Sequence, residues 1–240
     1  MIPSIFLVRR MLKIVRDNEG VVMKIKICGA TILDEIALLN RYAVDYVGLW
    51  TGINGHPRSL TEMTLRILAA ACDGPQPIAV CVQPANPGLM EMLHDCNIQW
   101  LQLHGFTPPS EVLCLKQQGI NVIKTLHVDD NGVCPELRWL KDYDDAGVDI
   151  YLIDRFVSRQ RIGSTGQALP QRVIKKMVER LQGRRVWLAG GIGITTIADF
   201  AAMPGVEALD IDSAARHEGR IGVPLLPLLQ ALHDGVNHHG

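Results

Sequence analysis

The chain has 240 residues, of which 48% are hydrophobic and 20% charged, and its formal net charge is −1. That length suits one large α/β domain, and the composition is that of a globular chain and excludes a disordered one. The charge balance leaves no basic face of the size that binds a polyanion, which sets nucleic acid aside as a partner. The six cysteines (Cys28, Cys72, Cys81, Cys96, Cys114 and Cys134) contain no C-x-x-C pair. They give neither a disulfide framework nor a zinc cluster and fit a reducing cytoplasm. No apolar run approaches the roughly 18 residues of a membrane helix, so no membrane partner is expected.

The first 16 residues hold four basic side chains, Arg9, Arg10, Lys13 and Arg16, and no acidic one. A signal peptide places its charge before the apolar stretch, whereas Arg9 and Arg10 follow it. Residues 1–22 therefore read as an N-terminal extension, and the folded unit as 23–240, since Met23 directly precedes the first convincing strand.

From Lys24 one pattern recurs: a short apolar run, a loop, then a longer helical stretch. The apolar runs predict strands at 24–28, 45–50, 77–82, 98–103, 121–126, 149–154, 185–190 and 206–211. The intervening stretches predict helices near 32–43, 61–72, 86–96, 108–118, 135–144, 170–182, 194–202 and 224–234. Pro108, Pro135 and Pro170 stand at or near helix starts, where a missing N–H costs least. Repeated strand–helix units of about 25 residues match a closed (β/α)8 TIM barrel better than an open sheet. The first strand is not followed by G-x-G-x-x-G, which argues against a dinucleotide-binding sheet.

In such barrels the chemistry sits where strands run into the following loops. Strand one ends in Cys28-Gly29, and strand two runs into a loop carrying Arg58. Strand four ends in Gln102-Leu103-His104-Gly105, strand five carries Lys124 and strand six ends in Asp154. Strand seven ends in Ala189-Gly190-Gly191 and strand eight in Asp210-Ile211-Asp212-Ser213. Polar residues and glycines thus gather at one end of nearly every strand.

This ring resembles the phosphoribosylanthranilate isomerases of tryptophan biosynthesis. The matching pieces are Lys26-Ile27-Cys28-Gly29, Pro57-Arg58, Leu101-Gln102-Leu103-His104-Gly105, Ile123-Lys124, Leu152-Ile153-Asp154, Gly163-Ser164-Thr165-Gly166 and Gly190-Gly191-Ile192, in the family's order. The resemblance implies an Amadori rearrangement of a phosphoribosylated aminobenzoate, with no metal or organic cofactor. It further implies Cys28 as general base, Asp154 as general acid and Arg58 as the holder of the aromatic carboxylate. The phosphate would lie on backbone amides of the loops carrying Gly166, Gly190, Gly191, Asp212 and Ser213, and Gln102 and His104 would complete the substrate site. The expected partner is a small phosphosugar, and the expected assembly a monomer or homodimer.

The residues carry those roles on physical grounds. A free cysteine titrates near ~8.5 and needs a stabilising neighbour to act as a thiolate. Strand alternation puts Lys26 on the side of Cys28. Asp154 must instead hold a proton, and it follows Ile150 and Leu152 on one face. His104 reads as a residue hydrogen-bonded beneath the site, Lys124 as a lysine paired inside the barrel, and the other cysteines as packing residues.

Three stretches depart from the family pattern. The strand-two loop, residues 50–58, is about one residue longer than the family's. At strand eight Asp212 stands where the family has serine and Ala214 where it has glycine. A carboxylate ~5 Å from a phosphate, at an effective dielectric near 20, repels it by roughly 3 kcal/mol per charge pair. Arg216 offers an offset, and Asp210 and Asp212, pointing the same way along a strand, would form an acidic pair. Near the C-terminus Gly219-Arg220-Ile221-Gly222 replaces a glycine–lysine–aspartate segment. These departures leave open a relative acting on another amino sugar or a non-phosphorylated compound, a Schiff-base lyase using Lys124 or Lys26, and a barrel that only binds.

Overall fold

The structure, a computed structural model, describes residues 23–42, 44–53, 55–83, 88–156 and 168–238. The extension expected over residues 1–22 and the Gly163–Gly166 loop lie outside the described residues. Eight parallel strands close into a barrel in chain order: β1 (Lys24–Cys28), β2 (Tyr46–Trp50), β3 (Gln76–Cys81), β4 (Trp100–Leu103), β5 (Asn121–Val128), β6 (Ile150–Arg155), β7 (Val186–Leu188) and β8 (Ala208–Ile211). Helices α1 (Leu33–Tyr42), α2 (Glu62–Ala70), α3 (Leu89–Asp95), α4 (Pro109–Gln117), α5 (Leu140–Ala146), α6 (Gln171–Arg180), α7 (Ile197–Ala201) and α8 (Leu225–His238) alternate with them. The fold is a (β/α)8 barrel. No described helix is long and apolar enough to cross a membrane.

Alternation along each strand separates two cores. Ile25 and Ile27 of β1, Leu101 and Leu103 of β4 and Tyr151 and Ile153 of β6 face outward and pack into the core shared with the helices. Ile78, Ile123, Ile150, Leu152, Trp187 and Ala208 point inward and fill the barrel, with Tyr46 packed against Trp187 at 4.7 Å between ring centroids. Above that apolar plug the inward positions turn polar, and the site begins there.

Where element bounds differ from the sequence pattern, backbone chemistry gives the reason. The run at 185–190 yields only Val186–Leu188, because Gly190 and Gly191 adopt φ of +81° and +63°, outside the strand region. Strand β5 continues past residue 126, since His127 and Val128 pair with Asp154 and Arg155. The helix expected over 135–144 opens as a 3₁₀ turn, Pro135–Trp139, in which the Leu137 N–H bonds back to the Cys134 carbonyl. Gly219-Arg220-Ile221 proves to be part of a hairpin, β9 (Arg216–His217) and β10 (Arg220–Ile221), turned by Glu218 and Gly219 at φ of 49° and 80°. Its Ile221 N–H donates to Glu35 Oε1 at 2.9 Å, tying this loop to α1.

Candidate active site

A cavity opens at the C-terminal ends of the strands, the face on which barrels of this kind carry their chemistry. It is lined by Cys28, Gln102, His104, Asp154, Gly190, Gly191, Asp212 and Ser213, together with Trp50 and Asp210. Of the expected site residues, Gly166 lies outside the described residues. Arg58 stands at the rim, in a neighbouring groove with Arg216 and Arg220.

The floor is a continuous polar chain. The β1–β8 register sets Lys26 beside Asp210, and Lys26 Nζ donates to Asp210 Oδ2 at 2.6 Å, Gln102 Oε1 at 2.7 Å and Cys28 Sγ at 3.4 Å. Burial works against its charge, but Asp210 and Cys28 outweigh burial and hold the ammonium above its ordinary pKa. With Oε1 fixed by Lys26, the Gln102 amide presents Nε2 to His104 Nδ1 at 3.4 Å. That assigns Nδ1 as acceptor and puts the ring proton on Nε2, 3.5 Å from Asp154 Oδ2. Burial, reinforced by His127 and Lys26, holds His104 down to about 3, so its ring is neutral.

Asp154 and Cys28 face the cavity from different strands. Burial pushes Asp154 up to about 7 against the Arg155 N–H that Oδ1 accepts, with Asp210 and Asp212 adding to the rise. A Cβ on Gly190 would lie 2.9 Å from Asp154 Oδ1 and 3.0 Å from the Arg155 nitrogen, so glycine is what lets β7 close on the acid. Gly48 does the same for the thiol. It pairs with Cys28 across β1 and β2, and a Cβ there would sit 2.6 Å from Sγ. Burial pushes Cys28 up to about 12, opposed by Lys26 and assisted by the carboxylates of Asp210 and Asp212. Trp50 Nε1 also donates to Sγ, at 3.0 Å.

The offset expected of Arg216 at Asp212 is present, while other expectations are corrected. Arg58 Nη1 and Arg216 Nε meet the Asp212 Oδ1 at 2.5 and 2.8 Å. Arg216 Nη2 also donates to the Cys28 and Gly29 carbonyls, both at 2.7 Å, stapling the β8 loop to β1. Asp210 and Asp212 form no acidic pair, because β8 ends at Ile211 and each carboxylate takes its own cation. Lys124 is not inside the barrel. It shares the outward parity of Val122 and Leu126, and its Nζ donates to the Gly105 and Thr125 carbonyls at 2.9 and 2.5 Å. Burial lowers its pKa to about 8, but it does not reach the cavity, so a Schiff base there is excluded. Among the presumed packing cysteines, Cys114 is exposed.

The sequence pattern missed a buried cluster beside β5. His127 Nδ1 and Glu136 Oε1 are 2.5 Å apart, and Lys124 Nζ lies 4.0 Å from the same oxygen. Burial opposes the Glu136 charge, but His127 and Lys124 outweigh it and hold the carboxyl below its ordinary value. His127 Nε2 contacts the His104 carbonyl at 3.1 Å, and Phe106 stacks on its ring. The cluster therefore braces the loop that carries His104. Isolated His and Glu codes on an apolar background gave no signal for it.

The sequence profile of N-(5'phosphoribosyl)anthranilate (PRA) isomerase matches residues 25–221. The N-(5'-phosphoribosyl)anthranilate isomerase of Aquifex aeolicus is 28% identical over 200 residues, covering 82% of this chain and 90% of the relative. The crystal structure of phosphoribosyl anthranilate isomerase from Thermus thermophilus superposes with a TM-score of 0.72 at 25% identity, covering 91% of this chain and 100% of the other. A phosphoribosyl anthranilate isomerase in complex with reduced 1-(o-carboxyphenylamino)-1-deoxyribulose 5-phosphate superposes with a TM-score of 0.65 at 18% identity, over 90% of this chain and 99% of that one. With its barrel, its ring of strand-end residues and a profile match running from β1 through β10, this chain belongs to the N-(5'-phosphoribosyl)anthranilate isomerase family.

Proposed function

We propose that the chain isomerises N-(5'-phosphoribosyl)anthranilate to 1-(o-carboxyphenylamino)-1-deoxyribulose 5-phosphate, with Asp154 as general acid and Cys28 as general base. The observation that carries this reading is one cavity holding a proton-retaining carboxyl on β6 and a thiol flanked by an ammonium on β1. Asp154 gives its proton to the ribose ring oxygen. The C1–O bond then breaks as the anthranilate nitrogen lone pair forms a C=N⁺ bond. Cys28 thiolate takes the proton from C2, and those electrons neutralise the iminium to give an enolamine. The enol proton then leaves and C1 is protonated, which yields the C2 ketone. One proton enters at the ring oxygen and one leaves C2, so two groups in opposite protonation states are needed.

Arg58 takes the aromatic carboxylate from the rim, sharing its guanidinium with Asp212. The amides of Gly190, Gly191 and Ser213 receive the phosphate, with residues 163–166 as the remaining candidates. Gln102 and His104 support the acid from the floor. The small-molecule substrate calls for neither nucleic acid nor a membrane, and a cytoplasmic setting agrees with six free thiols. The proposed assembly is a monomer or a homodimer. Residues 1–22 are taken as an extension of the 23–240 barrel.

The test is growth of a tryptophan auxotroph lacking this isomerase, together with turnover by purified protein. The wild-type chain should restore growth, and Cys28→Ala and Asp154→Ala should not. A folded wild-type protein that neither restores growth nor consumes the substrate would end this reading.

A further inference from the structure

The roles assigned above leave Trp50 unused, although its indole nitrogen is nearer the Cys28 sulfur than the Lys26 ammonium is. Nε1 donates to Sγ at 3.0 Å, against 3.4 Å from Lys26 Nζ. Lys26 divides its ammonium among three acceptors, and Asp210, the nearest, answers its charge directly. The indole N–H is aimed at the sulfur alone. The ring itself is fixed: Trp50 ends β2 opposite Val80, His56 stacks on it at 4.6 Å and 30°, and the Arg58 guanidinium carbon stands 4.6 Å from its centroid. A cation over the π face draws density out of the ring and so strengthens the N–H as a donor.

The geometry points to Trp50 as a positioning residue for the general base: its N–H aims the Cys28 sulfur into the cavity and favours thiolate over thiol. Phenylalanine fills much of the same space without that hydrogen, so the role belongs to the indole nitrogen and not to aromaticity. The inference rests on the reading of Cys28 as base, but the thiol can be followed without turnover.

The experiment compares the full-length chain with Trp50→Phe, measuring iodoacetamide alkylation of the Cys28 peptide by mass spectrometry across pH. Loss of a hydrogen bond to a charged group should cut the thiolate fraction about tenfold at a given pH. The alkylation rate at pH 8 should therefore fall about tenfold, and kcat should fall by a similar factor with KM little changed. Wild-type protein labelled with 5-fluorotryptophan, whose N–H is the stronger donor, should be alkylated faster. Labelled Trp50→Phe controls for Trp100, Trp139 and Trp187. Rates unmoved in both directions overturn the assignment, even if the wild type isomerises its substrate. Rates that move as expected while the wild type shows no turnover uphold Trp50 and remove the proposed function instead.

Discussion

Gly48→Ala is the sharpest perturbation of the site, because it adds one methyl group beside the thiol at a residue that does not itself line the cavity. The new Cβ would lie 2.6 Å from Cys28 Sγ, 3.1 Å from Cys28 Cα and 3.2 Å from Lys26 Nζ. Non-bonded heavy atoms settle at about 3.5–4.0 Å, so the sulfur must retreat by about 1 Å. The Cys28 backbone is held by its β1 ladder, and the movement therefore falls on the side chain. A misplacement of about 1 Å at a reacting group costs on the order of 10²-fold in rate. Overpacking costs about 1–3 kcal/mol of stability, equivalent to a melting point lower by about 2–4 °C per kcal/mol in a chain of this size. The variant should thus be folded at 25 °C yet lose about a hundredfold in kcat, as read by steady-state kinetics beside a circular-dichroism melt. A Gly48→Ala enzyme with more than half the wild-type kcat would refute the claim that this glycine sets the position of the thiol.

Asp154→Asn should stabilise the protein at pH 8 and not at pH 4, as read by urea unfolding at the two pH values. Burial raises the native carboxyl to about 7 from 3.8, so the native state keeps a proton that the unfolded chain releases. Wild-type stability then falls as pH rises through that window, by up to ~4 kcal/mol, and the amide escapes the loss; equal gains at both pH values would contradict the sign. Asp212→Ser removes a carboxylate from the phosphate side and one anionic partner from Arg58 and Arg216, so KM should drop severalfold at constant kcat, whereas a rise would make Asp212 the brace of Arg58. Glu136→Gln leaves Lys124 and His127 without their buried anion. At about 3–5 kcal/mol for a broken buried pair, it should lower the melting temperature by about 10 °C, and an unchanged melt would dismiss the brace.

How much of this was legible in the sequence depended on what each residue's environment required. The strands were readable because apolar runs at a regular spacing have few other ways to bury themselves, and Cys28, Asp154, Gly190 and Gly191 were readable because each ends such a run. Lys124 was misplaced for lack of parity: the Asn121–Val128 run carries apolar residues on both faces, so only the register of β5 decides which side the lysine takes. Asp212 misled for a different reason. Reading it as a strand residue predicted a shared face with Asp210, but the chain leaves the strand one residue earlier. Its countercharges come from Arg58, 154 positions away, and Arg216. The His127–Glu136 pair, nine residues apart across a 3₁₀ turn, has no period that a sequence pattern can carry.

On the proposed roles of Cys28 and Asp154, burial alone cannot make the acid–base pair. The low-dielectric pocket penalises both anions, so it keeps the proton on Asp154, as the acid step needs, and also on Cys28, which the base step does not want. Thiolate beside a protonated Asp154 is therefore a minor form of the site, because burial places the acid below the base. A minor reactive form is still sufficient, because the ceiling on its rate is about 6 × 10¹² s⁻¹ and a typical turnover about 10 s⁻¹. In this regime kcat/KM rises with pH as thiolate accumulates and flattens near 7, where Asp154 begins to lose its proton. The rising limb thus belongs to the cysteine, and the break in it to the aspartate. Any donor to the sulfur raises the reactive fraction in direct proportion, and the Lys26 ammonium and Trp50 N–H act on that quantity. Ring opening adds a third contribution, since it leaves a cationic iminium beside the C2 proton and favours the thiolate at the moment the base is required.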